Sequence, residues 1–171
     1  MNRRNLILTG SALFLSACAT GQTTRIGADG RPVVSRIYRI TAGNRSKIIF
    51  RMLDSVNALR QAAGAPPVKM NAKLNAAAET HSRDMARQNR PWHFGSDGSS
   101  PIDRVKRAGY PLRMLGEDIS ETYEDELETL AAWMEEKGTR DVILDPNAKD
   151  MGFAWYQEPG GKIWWTLLMG G

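Results

Sequence analysis

Residues 91–103, "PWHFGSDGSSPID", hold one of only two histidines in a chain of 171 residues. Pro91 closes whatever helix precedes it, because the residue before a proline is pushed out of the helical region. Gly95 and Gly98 turn the chain. Ser100, Pro101 and Asp103 then open a new helix, with an N-cap serine, proline at the first helical position and an acid at the third. The stretch is therefore a helix–turn–helix junction, with His93 held between two aromatics at its start.

Upstream, Leu74, Ala77, Ala78, His81 and Met85 share one face of a helix predicted over 72–88. On that apolar face His81 reads as a packed side chain satisfied by a hydrogen bond. An earlier stripe, Ile49, Leu53, Val56 and Leu59, predicts a helix from about 48 that stops at Gly64. Downstream, the short helix after Ser100 stops at Gly109. "GEDIS" (116–120) reads as irregular, and a helix carrying Leu127, Leu130, Ala131 and Met134 is entered near Thr122. Its acidic first turns suit the positive end of the helix dipole and read as a solvated face. "GFAWYQ" and "KIWWTLLM" are aromatic-rich strands around "EPGG", a C-terminal β-hairpin. This element order predicts an α+β fold with an antiparallel sheet.

The N-terminus is of another kind. Two arginines, an apolar run over 6–15 and then small residues make residues 1–17 a secretory signal peptide. Leu15-Ser16-Ala17-Cys18 resembles a bacterial lipobox, which implies cleavage before Cys18 and diacylglyceryl attachment to its sulfur. Two or more acyl chains make a stable anchor. In a Gram-negative cell, Ala19 after the cysteine points to the outer membrane, with the domain facing the periplasm. Cys18 is the only cysteine, so once lipidated it leaves no thiol for a disulfide, a nucleophile or a metal. Residues 18–31 read as the lipidated cysteine and a flexible, glycine-rich tether. Residues 32–45 form an N-terminal extension whose "PVVSRIYRI" is strand material that could add to the sheet.

The full chain carries 23 basic and 19 acidic residues, a net of +4. Removing Arg3 and Arg4 with the signal leaves +2, so the balance gives no support to a nucleic-acid partner. There is no G-x-S-x-G elbow, H-E-x-x-H, phosphate loop or dinucleotide fingerprint.

Four stretches taken together, 55–86, 93–110, 116–120 and 131–155, resemble the CAP superfamily of cysteine-rich secretory, venom-antigen and plant pathogenesis-related proteins in its bacterial form. The likeness covers residues 48–169 and places the domain at 46–171. It implies an α-β-α sandwich around a three-stranded antiparallel sheet. It also implies a cleft lined by two histidines and two acids, which in some members holds a divalent cation. His93 matches the first histidine. Gly116-Glu117-Asp118 matches a G-E-N motif, with aspartate in place of asparagine. Glu136, three residues after Trp133, matches the second acid, while the second histidine is replaced by Thr139.

Two functional classes follow from the resemblance. The first is a lipid-anchored, non-catalytic envelope domain binding a small apolar ligand such as a lipid, or an envelope protein. Its His93–Glu117 pair would then be a hydrogen-bonded tie that fixes the loops. Trp92, Phe94, Trp133, Trp164 and Trp165 would line an apolar cleft or form core. The alternative is a hydrolase in which Glu117 or Glu136 activates water and His93 serves as acid or ligand. No cofactor is expected in the first reading. In the second, His93, Glu117 and Glu136 would hold a cation such as zinc and leave one position for water, with Asp118 orienting a ligand from behind.

Overall fold

The computed structural model describes residues 22–26 and 32–171. The signal peptide and Cys18 lie outside the described residues. Two units are present, the second comprising Tyr38–Gly171. In the first, β1 (Gln22–Ile26) pairs antiparallel with β2 (Pro32–Arg36). β1 thus falls within the stretch read as tether, and the strand expected over 32–40 ends at Arg36. Tyr38 and Ile40 instead pack against the core of the second unit. Gln157 fixes them there, accepting from the Ile40 N–H at 2.9 Å and donating to the Tyr38 carbonyl at 2.7 Å.

The second unit runs α1 (Arg45–Ala62), β3 (Lys69–Met70), α2 (Ala72–Gln88), α3 (Pro101–Arg107), β4 (Met114–Thr122), α4 (Glu126–Glu135), α5 (Lys137–Leu144), β5 (Asp150–Gln157) and β6 (Ile163–Gly170). The expected helices and the C-terminal hairpin are present. α3 has the predicted Ser100 cap, with Asp103 closing a reciprocal capping box.

The sheet differs from expectation. It has four strands in the order β3-β5-β6-β4, and β3 runs parallel to β5, where three antiparallel strands were implied. Pro66 and Pro67 hold the chain extended, so the Lys69 and Asn71 N–H groups reach the Lys149 and Met151 carbonyls at 3.1 and 2.8 Å. Two residues are too few to announce themselves by alternation. β4 is the second correction, because "GEDIS" lies inside a nine-residue strand. Its adjacent Glu117 and Asp118 are both buried, one on each face, and this hides the polar/apolar alternation of a strand. α4 begins at Glu126, with Asp125 as its capping residue. Glu126 is not solvated: it is buried, paired with Arg51 and accepting from the Tyr38 hydroxyl at 2.6 Å.

Two helical layers enclose the sheet. On one face Met151, Phe153, Trp155, Trp165, Leu167 and Met169 meet α1, α4 and α5 through Met52, Val56, Leu130, Trp133 and Ile143. On the other, Ala154 and Leu168 meet α2 and α3 through Leu74, Ala77, Ala78 and Val105. On this face β5 presents the small Gly152 and Ala154, so α2 can lie close. At Gly152 an added Cβ would collide with the Leu74 and Asn75 backbone. Among the described residues no helix is long and apolar enough to cross a membrane.

Candidate functional site: a carboxylate between two histidines and an arginine

α2 ends at Gln88, and Asn89 turns the chain in a left-handed conformation. The loop 90–100 then folds back along the helix. Asp84 of α2 holds this loop, accepting from the Ser96 N–H at 2.6 Å and hydroxyl at 2.7 Å. Burial would raise the Asp84 carboxyl, but the Ser96 hydrogen bonds and Arg87 keep it below the ordinary aspartate value. Gly98, at φ +77°, supplies the reversal, with its N–H on the Gly95 carbonyl at 2.9 Å. Trp92 donates to Gln88 at 2.9 Å, and the Arg90 guanidinium stacks 3.9 Å from its ring centroid.

The loop delivers His93 to Glu117. In the β4–β6 register Glu117 lies opposite Leu168, so it faces α2 and α3. Its side chain is 2 % exposed, and three residues converge on its carboxylate. His93 Nδ1 lies 2.9 Å from Oε1. Arg104 Nη2 lies 3.0 Å from Oε1 and 2.7 Å from Oε2, and the arginine side chain is itself only 4 % exposed. His81 Nε2 stands 3.8 Å from Oε1. The other end of the Arg104 fork holds backbone, with Nη1 donating to the carbonyls of His93 at 2.8 Å and Ser99 at 3.2 Å. One guanidinium therefore neutralises the buried acid and fastens the loop that brings His93.

The two histidines differ in state. His81 is fully buried with Nε2 2.9 Å from the Trp92 carbonyl. A carbonyl only accepts, so that nitrogen carries the proton, and Nδ1 is left buried without a partner. Burial pushes the His81 pKa down; Glu117 opposes this and Arg104 adds to it. The ring is a packed, neutral side chain, as expected, yet it borders the site, which its place on a helical stripe does not reveal. His93 gives Nδ1–H to the carboxylate and is 51 % exposed. Its remaining nitrogen is therefore available to solvent.

The other candidates lie elsewhere. Asp118 is opposite Leu167 and so faces the α1, α4 and α5 layer. It is 1 % exposed with both oxygens unpartnered, and burial, then the neighbouring Glu117, pushes it up to about 8. Glu136 is exposed at the junction of α4 and α5, against the sheet face opposite Glu117. Thr139 is spent locally on the Trp133 and Glu136 carbonyls. The three residues expected to share a cation are thus not brought together. Among the described residues no group of three or more His, Cys, Asp or Glu is placed to hold a metal. Trp133, Trp164 and Trp165 are core, while Phe94 is half-exposed against Trp92. Arg104 is the functional residue that sequence reasoning missed.

Residues 53–169 match the family model for the cysteine-rich secretory protein family, CAP. The chain is 30 % identical over 120 residues to the uncharacterized Bacillus subtilis protein YkwD, covering 70 % of this chain and 46 % of that one. It thus spans about half the length of this relative. An extracellular protein containing an SCP domain from Bacillus anthracis superimposes with a TM-score of 0.69 at 20 % identity, over 82 % of this chain and 46 % of that one. An outer surface protein from Borrelia burgdorferi does so at 0.65 and 11 % identity, over 78 % and 96 %. By the extent of the family match and this shared fold, the chain belongs to the cysteine-rich secretory protein (CAP) family.

Proposed function

We propose that this protein is a lipid-anchored CAP domain of the bacterial cell envelope that works by binding and not by catalysis. Cys18 would carry the anchor, and the outer membrane facing the periplasm is the expected address. The observation that carries the non-catalytic reading is the state of Glu117. Arg104 bridges both carboxylate oxygens, and His93 takes a further bond to one of them. A carboxylate so neutralised is a poor general base, because activating water would mean breaking a buried ion pair. The cluster joins α2, the 90–100 loop, α3 and β4, and so holds rigid the surface that a lipid or an envelope protein would meet.

The hydrolase alternative retains one favourable feature, the solvent-facing nitrogen of a histidine oriented by a carboxylate. No serine, threonine or cysteine is hydrogen-bonded to that ring among the described residues, which leaves it without a nucleophile to activate. A divalent-ion titration separates the readings. Zinc should leave the melting temperature of the protein unchanged, and a saturable rise of several degrees abolished by His93→Ala would establish a metal centre. The anchor is tested by metabolic labelling with a fatty acid, which the wild type should incorporate and Cys18→Ala should not; an unlabelled wild type would refute it.

A further inference from the structure

Eight of the eighteen lysines and arginines of the second unit are ion-paired, and others, such as Arg60, Lys73 and Arg140, are spent on backbone carbonyls. Arg83 lies on Glu79, Arg107 on Asp97 and Lys162 on Glu121. One end of the sheet is different. Lys69 in β3, Arg113 just before β4 and Lys149 just before β5 lie at neighbouring strand ends, since Asp150 pairs with both Lys69 and Gly170 while Met114 pairs with Gly170. Arg113 and Lys149 line one recess together. Arg113 and Lys106 of α3 line a second, small one of about 90 Å³ with Ile102 and Leu112. All four cations are exposed, and none reaches a carboxylate within ion-pair distance among the described residues.

The nearby acids offset these charges only in part: the Ser100 hydrogen bonds and, to a smaller extent, Lys106 hold the Asp103 carboxyl below the ordinary aspartate value, and Lys106 stays outside ion-pair distance. Asp103 is held by Ser100 in the α3 cap, and Asp150 is buried under the Tyr110 hydroxyl at 2.8 Å. Among these charges stand two aliphatic side chains in the open, Ile102 at 52 % and Leu112 at 46 % exposure. Unpaired cations around exposed aliphatic groups are the chemistry that matches an anionic lipid surface. Ammonium and guanidinium groups meet phosphates there, while Ile102 and Leu112 enter the boundary between headgroups and acyl chains.

We propose that this end of the sheet, Lys69, Lys106, Arg113 and Lys149 with Ile102 and Leu112, docks the domain on an anionic membrane surface. A soluble acidic polymer would satisfy the charges but leave the two aliphatic side chains in water, so the lipid surface is the better match. Docking would set this end of the sheet against the bilayer, and it is independent of any acyl chain on Cys18.

The test is flotation of the processed chain without its lipidated cysteine, residues 19–171, with phosphatidylcholine vesicles, with and without phosphatidylglycerol. Binding is expected only with the anionic lipid and should fall with added salt. Each of Lys69→Gln, Lys106→Gln, Arg113→Gln and Lys149→Gln should weaken partitioning about fivefold. Ile102→Ser with Leu112→Ser should weaken it further at unchanged charge. Arg83→Gln, a paired cation outside the patch, should have no effect, and melting curves verify that each variant is folded. Equal binding to neutral vesicles, or partitioning insensitive to the four charge changes, would overturn the proposal. So would capture by polyglutamate that matches the anionic vesicles and ignores Ile102 and Leu112. Because Cys18 is absent from this chain, failure here leaves the anchoring question untouched.

Discussion

Glu117 and Asp118 are neighbours in one strand and differ by a methylene, yet the fold treats them as opposites. Strand alternation turns Glu117 towards α2 and α3, where Arg104 and two histidine rings meet it. The same alternation turns Asp118 towards the apolar layer of α1, α4 and α5, where neither oxygen has a partner. A buried acid with a guanidinium remains a charge and ties elements together. A buried acid without one is driven towards its neutral form, and Asp118 is pushed up to about 8. Burial alone therefore says little about what a carboxylate does; its partner decides.

The largest expected effect comes from the unpaired member. Asp118 has its pKa raised from 3.8 to about 8 in the folded protein. The unfolded chain releases that proton earlier, so stability is lost as pH rises from about 4 towards 8 and the loss levels off above. The slope is about 1.4 kcal/mol per pH unit, on the order of 5 kcal/mol across the window. Asp118→Asn should abolish this component, read as the difference between wild-type and variant urea denaturation at several pH values. Parallel curves would mean that Asp118 is solvated or paired.

Breaking the paired member comes next. Arg104→Met strands a buried carboxylate and frees the 90–100 loop, and should cost about 3–5 kcal/mol in chemical denaturation. Arg104→Lys should recover only part, since an ammonium cannot bridge both Glu117 oxygens while holding the His93 and Ser99 carbonyls. His81 sharpens the contrast with Asp118. Its ring is held neutral by burial, so stability should fall as pH drops below about 6.5, where the unfolded histidine gains a proton. His81→Gln should flatten that acid limb. The smallest change is expected from His93→Ala, about 1 kcal/mol, because the ring is half in water and Arg104 still neutralises Glu117.

Much of this was legible in the sequence. The Ser100–Asp103 box, the 72–88 stripe and the terminal hairpin are local patterns, and each appears where its residues put it. His93 and Glu117 do meet, because the helix break at Pro91 and the family motif at Gly116 identify them. What was not legible is tertiary. Arg104 follows a short helix start that any basic residue could occupy, and only the packing of α3 on β4 turns it into the partner of Glu117. His81 is packed, as its helical stripe predicts, but a stripe does not reveal which carboxylate lies beneath it. Glu136 keeps its spacing from Trp133 and still misses the cluster, since α4 packs on the opposite face of the sheet. β3 makes its contacts through two residues and has no period to detect.

The central claim is that Arg104 and Glu117 act as one buried unit that organises the site. A double-mutant cycle with Arg104→Met and Glu117→Leu, followed by urea denaturation, measures it directly. Each single change should be strongly destabilising, and the double variant should recover much of the loss, with a coupling of about 2–3 kcal/mol. Additive losses within about 0.5 kcal/mol would contradict the claim and return Glu117 to the pool of free carboxylates available for chemistry.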